Sequence, residues 1–254
     1  MVDDLVLPRR VGQILILTLN NPDRRNALSL AMREQLRSKL ENTAEEVAGI
    51  VLTGAGSYFC SGGDLRDPAG MNADAARFDH LTAIVDSIAT NRLPVIAAVE
   101  GGAFGSGLGL ALACDHVVCG QGAKLGAPFG KVGLSADAGL TWSLPRRIGA
   151  ARTTRLLLEA APLDARTAHE WGMVDELTRD GDAESAAVTR MEAWLENAPL
   201  AIAASKKAMA APPSSLAEAL ESEKTRQLRL LRTADVKEAI TAFTERRTPR
   251  FYGR

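Results

Sequence analysis

The chain lacks a charge excess of either sign. Over 254 residues, 30 lysines and arginines stand against 31 aspartates and glutamates, a formal net charge of -1. A dedicated nucleic-acid binder ordinarily carries a basic surplus, so that class is disfavoured. Cysteine is scarce: Cys60, Cys114 and Cys119 are the only three, and they fall at no metal-ligand spacing. Reduced thiols in a cytoplasmic protein are the simplest account, and no metal site is expected. No stretch approaches about 18 uninterrupted apolar residues, so no membrane-spanning helix is expected. The N-terminal decapeptide holds Asp3 and Asp4 and does not read as a signal peptide. Neither GxGxxG nor GxxxxGKS/T occurs, which weakens any dinucleotide or phosphate-loop reading.

What is present is enough apolar sequence, 46% of residues, for one large domain or a domain with a helical appendage. Residues 12–20 (GQILILTLN) read as a strand stopped by Asn21 and Pro22. Ser29 is a good N-cap for a helix reaching about Glu46, with Leu36 and Leu40 on one face. Further strands are expected at 47–53, 94–99, 115–119 and 123–126, and a helix at 72–91. After Ala136 every convincing segment is helical: 138–148, 151–160, 164–171, 183–197, 199–210, 215–232 and 235–246. The expectation is an α/β fold with a rigid core over 1–198 and a helical region over 199–254.

Two glycine-rich loops follow strands. Residues 101–115 read GGAFGSGLGLALACD and open directly into an apolar helix, and residues 54–64 read GAGSYFCSGGD. Backbone without side chains can approach a ligand closely, and a helix start offers unpaired N–H donors at a positive dipole end. Such loops suit a bound phosphate or a developing oxyanion, and two of them suggest two donors aimed at one oxygen.

Four ordered segments carry a resemblance to a known family: NPDRRNAL at 21–28, VLTGAGSYFCSGGDL at 51–65, residues 94–115, and AHEWGMVD at 168–175. Together they resemble the signatures of the crotonase (enoyl-CoA hydratase/isomerase) superfamily over nearly the whole chain. The resemblance implies a spiral of ββα units with C-terminal helices that assemble trimers or trimers paired as hexamers. It also implies an acyl-CoA substrate and no cofactor beyond the CoA the substrate carries. By position, the thioester oxygen would sit between the backbone N–H groups of Gly63 and Ser106. Arg24 and Arg25 would meet CoA phosphates, and Ala27, Ser61, Asp64 and Leu65 would offer backbone contacts to CoA. The tail at 247–252 resembles the segment that closes the nucleotide site.

The acid and base groups depart from the hydratase pattern. Hydratases of this family carry two glutamates where this chain has Gly109 and Phe129. The following loop keeps one carboxylate, Asp137, and there looks more like the ring-epoxide isomerase of phenylacetate breakdown and the Δ3,Δ2- and dienoyl-CoA isomerases. Adding water needs a nucleophile held and a proton delivered, whereas a proton shift between carbons can use one base. The expected activity is therefore acyl-CoA isomerisation with Asp137 as base, on a ring-1,2-epoxyphenylacetyl-CoA or 3-enoyl-CoA type of substrate. Phe129, Gly109, Trp142 and His80 would line the acyl pocket. Against this stand a helix-capping role for Asp137, a hydratase or other crotonase reaction using different acid and base groups, and a silent CoA-ester-binding subunit. Cys60 is read as a small buried residue and Glu100 as structural.

Overall fold

The computed structural model describes residues 4–67 and 75–254, with the backbone alone at 75–77. An antiparallel pair, β1 (Val6–Val11) and β2 (Ile14–Leu19), starts the chain, and β1 was not anticipated because its sequence holds a proline and two arginines and is mostly exposed. Helix α1 (Leu30–Glu41) starts where expected, with Ser29 Oγ accepting from Met32 N at 3.3 Å. It stops five residues short of Glu46 because the side chains of Asn42 and Thr43 bond the last-turn carbonyls of Ser38, Lys39 and Leu40. There follow β3 (Gly49–Gly54), α2 (Ala75–Thr90) and β4 (Val95–Val99). The first residues of the helix expected at 72–91 lie outside the described residues.

From β4 onward the chain alternates between two sheets. Strand β5 (Gly102–Phe104) leads into α3 (Ser106–Ala113), then β6 (His116–Gly120) and β7 (Lys124–Gly126). After α4 (Leu140–Ile148) and α5 (Ala150–Glu159) come β8 (Leu163–Asp164), α6 (Ala165–Glu170) and β9 (Glu176–Thr178). The large sheet has the order β1-β2-β3-β4-β6-β9, parallel apart from β1, and the small one β5-β7-β8. Each turn of the chain thus adds a strand to the large sheet and one to the small. The single bridge pairing Cys60 with Ala103 brings the loop after β3 into the same pattern. The expectation that everything after Ala136 is helical is corrected by β8 and β9, which are two and three residues long and too short to show a periodicity.

Helices α7 (Ala183–Leu195), α8 (Pro199–Ala210), α9 (Leu216–Leu230) and α10 (Ala234–Glu245) complete the chain. The central strands are apolar on both sides because both faces of the large sheet are covered. Leu17, Leu52, Ala97 and Val117 pack toward α1, α2 and α3, while Ile16, Val51, Ile96 and Val118 meet Ala187 and Met191 of α7. Glu100 is structural, as expected: its Oε1 accepts from Gly181 N at 3.0 Å and Ala183 N at 2.9 Å, holding the start of α7 against the end of β4. Of α8, only Lys206 is buried, where Nζ donates to Asp115 Oδ2 at 2.6 Å and Leu93 O at 2.9 Å. None of α9 is buried.

Candidate active site

The two glycine-rich loops lie against each other. Cys60 N donates to Gly102 O at 3.2 Å, and Phe104 N donates to Cys60 O at 3.0 Å. On the other side Leu28 N donates to Gly62 O at 2.8 Å and Asp64 N to Leu28 O at 3.3 Å, so Gly63 is held on both flanks. Gly62 has φ +102°, and a Cβ there would stand 2.8 Å from Phe104 O and 3.6 Å from Ser106 N. Only glycine lets the first loop close this tightly on the start of α3. Among the described residues, neither the Gly63 N–H nor the Ser106 N–H enters a hydrogen bond. Ser106 is 4% exposed and opens a helix whose first seven residues are buried. Two backbone donors, one of them at a helix N-terminus, therefore stand on loops packed against each other, and neither residue is on the wall of the cavity described below.

The side chain of Ser106 faces the other group of interest. Its Oγ donates to Asp137, 2.9 Å from Oδ1 and 3.1 Å from Oδ2. Asp137 is not the N-cap of α4. That position is Gly139, and no side chain caps the helix. The carboxylate instead reaches back across the turn to α3. The turn carries two left-handed residues, Ala138 at φ +49° and Gly139 at φ +73°.

A cavity of about 680 Å³ opens between α2, α3, α4 and α8. Asp137, Gly109 and Trp142 all lie on its wall, with Leu81 and Val85 supplying apolar surface. Arg146 is stacked 3.9 Å over the Trp142 ring at the same wall. Gly109 is tightly covered: a Cβ there would collide with the Ala138 Cβ and stand 2.7 Å from Ala138 O. The other two expected pocket residues lie off this wall. His80 turns toward α1, where Nε2 is 3.8 Å from Glu34 Oε1. Phe129 is buried below the start of α3, its Cζ 3.6 Å from where a Gly105 Cβ would be.

The residues expected to meet CoA gather at the mouth of the first loop. Ser61 N donates to Arg25 O at 3.0 Å and Ser61 Oγ to Arg24 O at 3.2 Å. Arg24 Nη1 donates to Asp64 Oδ2 at 2.8 Å. Asp64 is 5% exposed. Burial alone would raise its pKa, but the Arg66 N–H and the Arg24 guanidinium outweigh it and hold the carboxyl below the usual range. The Arg25 guanidinium lies 5.5 Å from the Tyr58 ring, Ala27 is buried and Leu65 is about half exposed. The tail folds back on α10, with Tyr252 N and Gly253 N donating to Asp235 at 2.8 and 2.9 Å. Cys60, buried beside the loop, has its thiol pushed up to about 12 by burial, which argues against a nucleophilic role.

Sequence reasoning missed two residues here. Asn26 is fully buried at φ +54°, accepts from Asn21 N at 2.8 Å, and donates to Ala55 O and Tyr58 O at 3.0 and 2.6 Å. It fixes the first loop, and an asparagine after two arginines at a loop end was a usable sign of left-handed backbone. The Ser106 hydroxyl was the other. Its partner is 31 residues away, and no local signal announces that contact.

Comparison with known proteins identifies the family. A family model described as enoyl-CoA hydratase/isomerase matches residues 9–254. The chain is 39% identical over 244 residues to a Rhodobacter capsulatus protein named "Probable enoyl-CoA hydratase", covering 95% of each. It is 35% identical over 252 residues to the 1,2-epoxyphenylacetyl-CoA isomerase of Escherichia coli, again covering 95% of each. Among solved structures, an enoyl-CoA hydratase from Bacillus anthracis superposes with a TM-score of 0.93 at 31% identity, covering 98% of this chain and 100% of that one. The chain therefore belongs to the enoyl-CoA hydratase/isomerase family, the crotonase superfamily of enzymes that act on CoA thioesters.

Proposed function

We propose that this enzyme is an acyl-CoA isomerase in which Asp137 moves the proton. The observation that carries the reading is the Asp137 carboxylate on the cavity wall, bonded to Ser106, while Gly109 and Phe129 stand at the positions of the family's hydratase glutamates. The Gly63 and Ser106 amides would hold the thioester oxygen, and preorganised donors of this kind contribute roughly 10²–10³ each in rate. Asp137 takes a proton from carbon as the C–H electron pair moves into the thioester enolate. The resulting acid returns the proton to a different carbon and the enolate collapses, so no water or redox partner is consumed. The acyl group, ring epoxide or linear 3-enoyl, would occupy the cavity between α2 and α4. CoA would run out past Arg24, Arg25 and Ser61, and trimers or paired trimers would form through the C-terminal helices.

A second reading is favoured by the names of the relatives, since the Rhodobacter and Bacillus proteins are both called hydratases. The test is a paired assay of the protein and its Asp137→Asn variant on 3-hexenoyl-CoA and crotonyl-CoA. The expected result is isomerisation without hydration, reduced roughly 10²–10⁴-fold in the variant. Hydration that survives Asp137→Asn would overturn the reading in favour of a hydratase with other acid and base groups. Silence on both substrates and on a ring-epoxide thioester, with CoA-ester binding intact, would favour a non-catalytic CoA binder.

A further inference from the structure

We propose that the Ser106 hydroxyl is a positioning residue that holds Asp137 in register with the oxyanion donors, an inference that rests on Asp137 being the base. Asp137 sits on a turn that needs such help. Residues 130–135 before it are exposed, and Ala138 and Gly139 after it are left-handed. Ser106, by contrast, is 4% exposed and belongs to a buried helix. Its Oγ bridges both carboxylate oxygens, at 2.9 and 3.1 Å, so the bond ties the exposed turn to the buried helix.

The same residue thus has two separable parts. Its backbone N–H is one of the two candidate oxyanion donors, and its hydroxyl sets where the base stands. Standard bond lengths place the nearer Asp137 oxygen within about 7 Å of the Ser106 nitrogen, close enough for one thioester to meet both. Because the hydroxyl is shared almost equally, one carboxylate oxygen can accept the substrate proton while the other keeps its hydrogen bond. The proton cycle then needs no rotation of the carboxyl between uptake and return. A donor to the charged form also lowers its basicity, so Ser106 tunes the base as well as aiming it.

Other charges share the cavity: Asp86 from α2, Asp115 after α3, Arg146 and Arg147 from α4, and Lys206 from α8. Asp115 is paired with Lys206 at 2.6 Å and Arg147 with Asp175 at 3.0 Å, while Arg146 donates to Trp142 O at 2.9 Å. None of them is altered by a change at Ser106, so a shift on substitution reports the hydroxyl.

The experiment is Ser106→Ala, which keeps the backbone N–H, with Ser106→Gly as the second variant should the alanine protein fold poorly. The Asp137 carboxyl is titrated by ¹³C NMR with aspartate labelled at the carboxyl carbon, the resonance being assigned by its loss in Asp137→Asn. Its apparent pKa should rise by about one unit or more, the size expected for losing a hydrogen bond to a charged group. In the 3-hexenoyl-CoA assay kcat should fall about tenfold or more with KM changed less than about threefold, and the acid limb of the pH profile should move up with the NMR value. A titration unmoved by the substitution would overturn the proposal, with or without turnover. So would a loss of kcat with the acid limb in place, which would mark a merely structural role. Full turnover in Asp137→Asn would instead sink the assignment of the base, and that result is separate from the Ser106 titration.

Discussion

Gly109 is the position at which substitution tests the architecture most severely. A side chain there meets the Ala138 Cβ and the Ala138 carbonyl, the latter at 2.7 Å, and both belong to the turn that carries Asp137. Neither is the movable end of a long side chain, so Gly109→Ala must push the turn itself. Overpacking of this kind costs about 1–3 kcal/mol. For a chain of this length each kcal/mol is worth about 2–4 °C, so thermal unfolding should fall by about 2–12 °C. Turnover of 3-hexenoyl-CoA should fall with it, because the displaced turn takes the carboxylate away from Ser106. Ala138→Gly in the same chain removes one of the two obstacles and relieves a left-handed alanine, itself worth roughly 1 kcal/mol. The double variant should recover part of the loss, with a coupling of at least about 0.5 kcal/mol. The assays are differential scanning fluorimetry and steady-state kinetics on the four proteins of the cycle. A Gly109→Ala protein that melts within about 1 °C of the parent at full kcat would refute the packing argument. The same geometry says that Gly109→Glu will not create a hydratase, since the carboxylate would arrive only by dislodging the base already present.

Two further outcomes follow from the electrostatics. Asp64 has a folded-state pKa below its unfolded value of about 3.9, so its contribution is complete above that pH and is lost as pH falls through the folded pKa. Asp64→Asn should therefore cost about 1 kcal/mol near neutrality, and the gap in melting temperature should close on acidification below about pH 3.9. A gap that widens there would contradict the sign. Cys60 and Cys114 are buried, with thiols pushed up to about 12 by desolvation, so at pH 8 about one in 10⁴ is thiolate. Mass spectrometry after iodoacetamide treatment should find both unmodified in the folded enzyme and modified in urea; rapid labelling without denaturant would show that the burial is wrong.

The sheet and most helices could be read from the chain because their signals are local. Ile14 to Leu19 alternates sides of a sheet covered on both faces, and Ser29 caps α1 as its position suggests. The misses are equally physical. β1 is an edge strand whose charged residues face solvent, and β8 and β9 are held by neighbours rather than by their own composition. At the site, the glycine loops and Asp137 were legible because glycine and a lone carboxylate in apolar sequence are conspicuous. His80 was not, since its helix presents it to Glu34 of α1 instead of to the cavity, a choice set by the rotation of α2 in its packing. The bond between Ser106 and Asp137 was beyond reach for the same reason: it is made by the fold, across two elements that share no sequence window.

That bond also changes how the departures from the hydratase pattern are understood. Read along the chain, Gly109 is a missing glutamate and Asp137 a carboxylate somewhere further on, two independent facts. In space they are one arrangement. The absence of a side chain at Gly109 leaves room for Ala138 to pack directly on α3, and the left-handed backbone of Ala138 and Gly139 turns the chain there. With that turn seated on α3, Asp137 comes within 2.9 Å of Ser106, three residues before Gly109 on the same helix. A glutamate at 109 and an aspartate bonded to Ser106 would compete for one volume. The physical alternatives are a carboxylate delivered from the helix or one delivered from the turn, and in this chain the helix has given up its side chain to the turn. Packing therefore admits one carboxylate beside Ser106, and that limit favours chemistry that one carboxylate can complete.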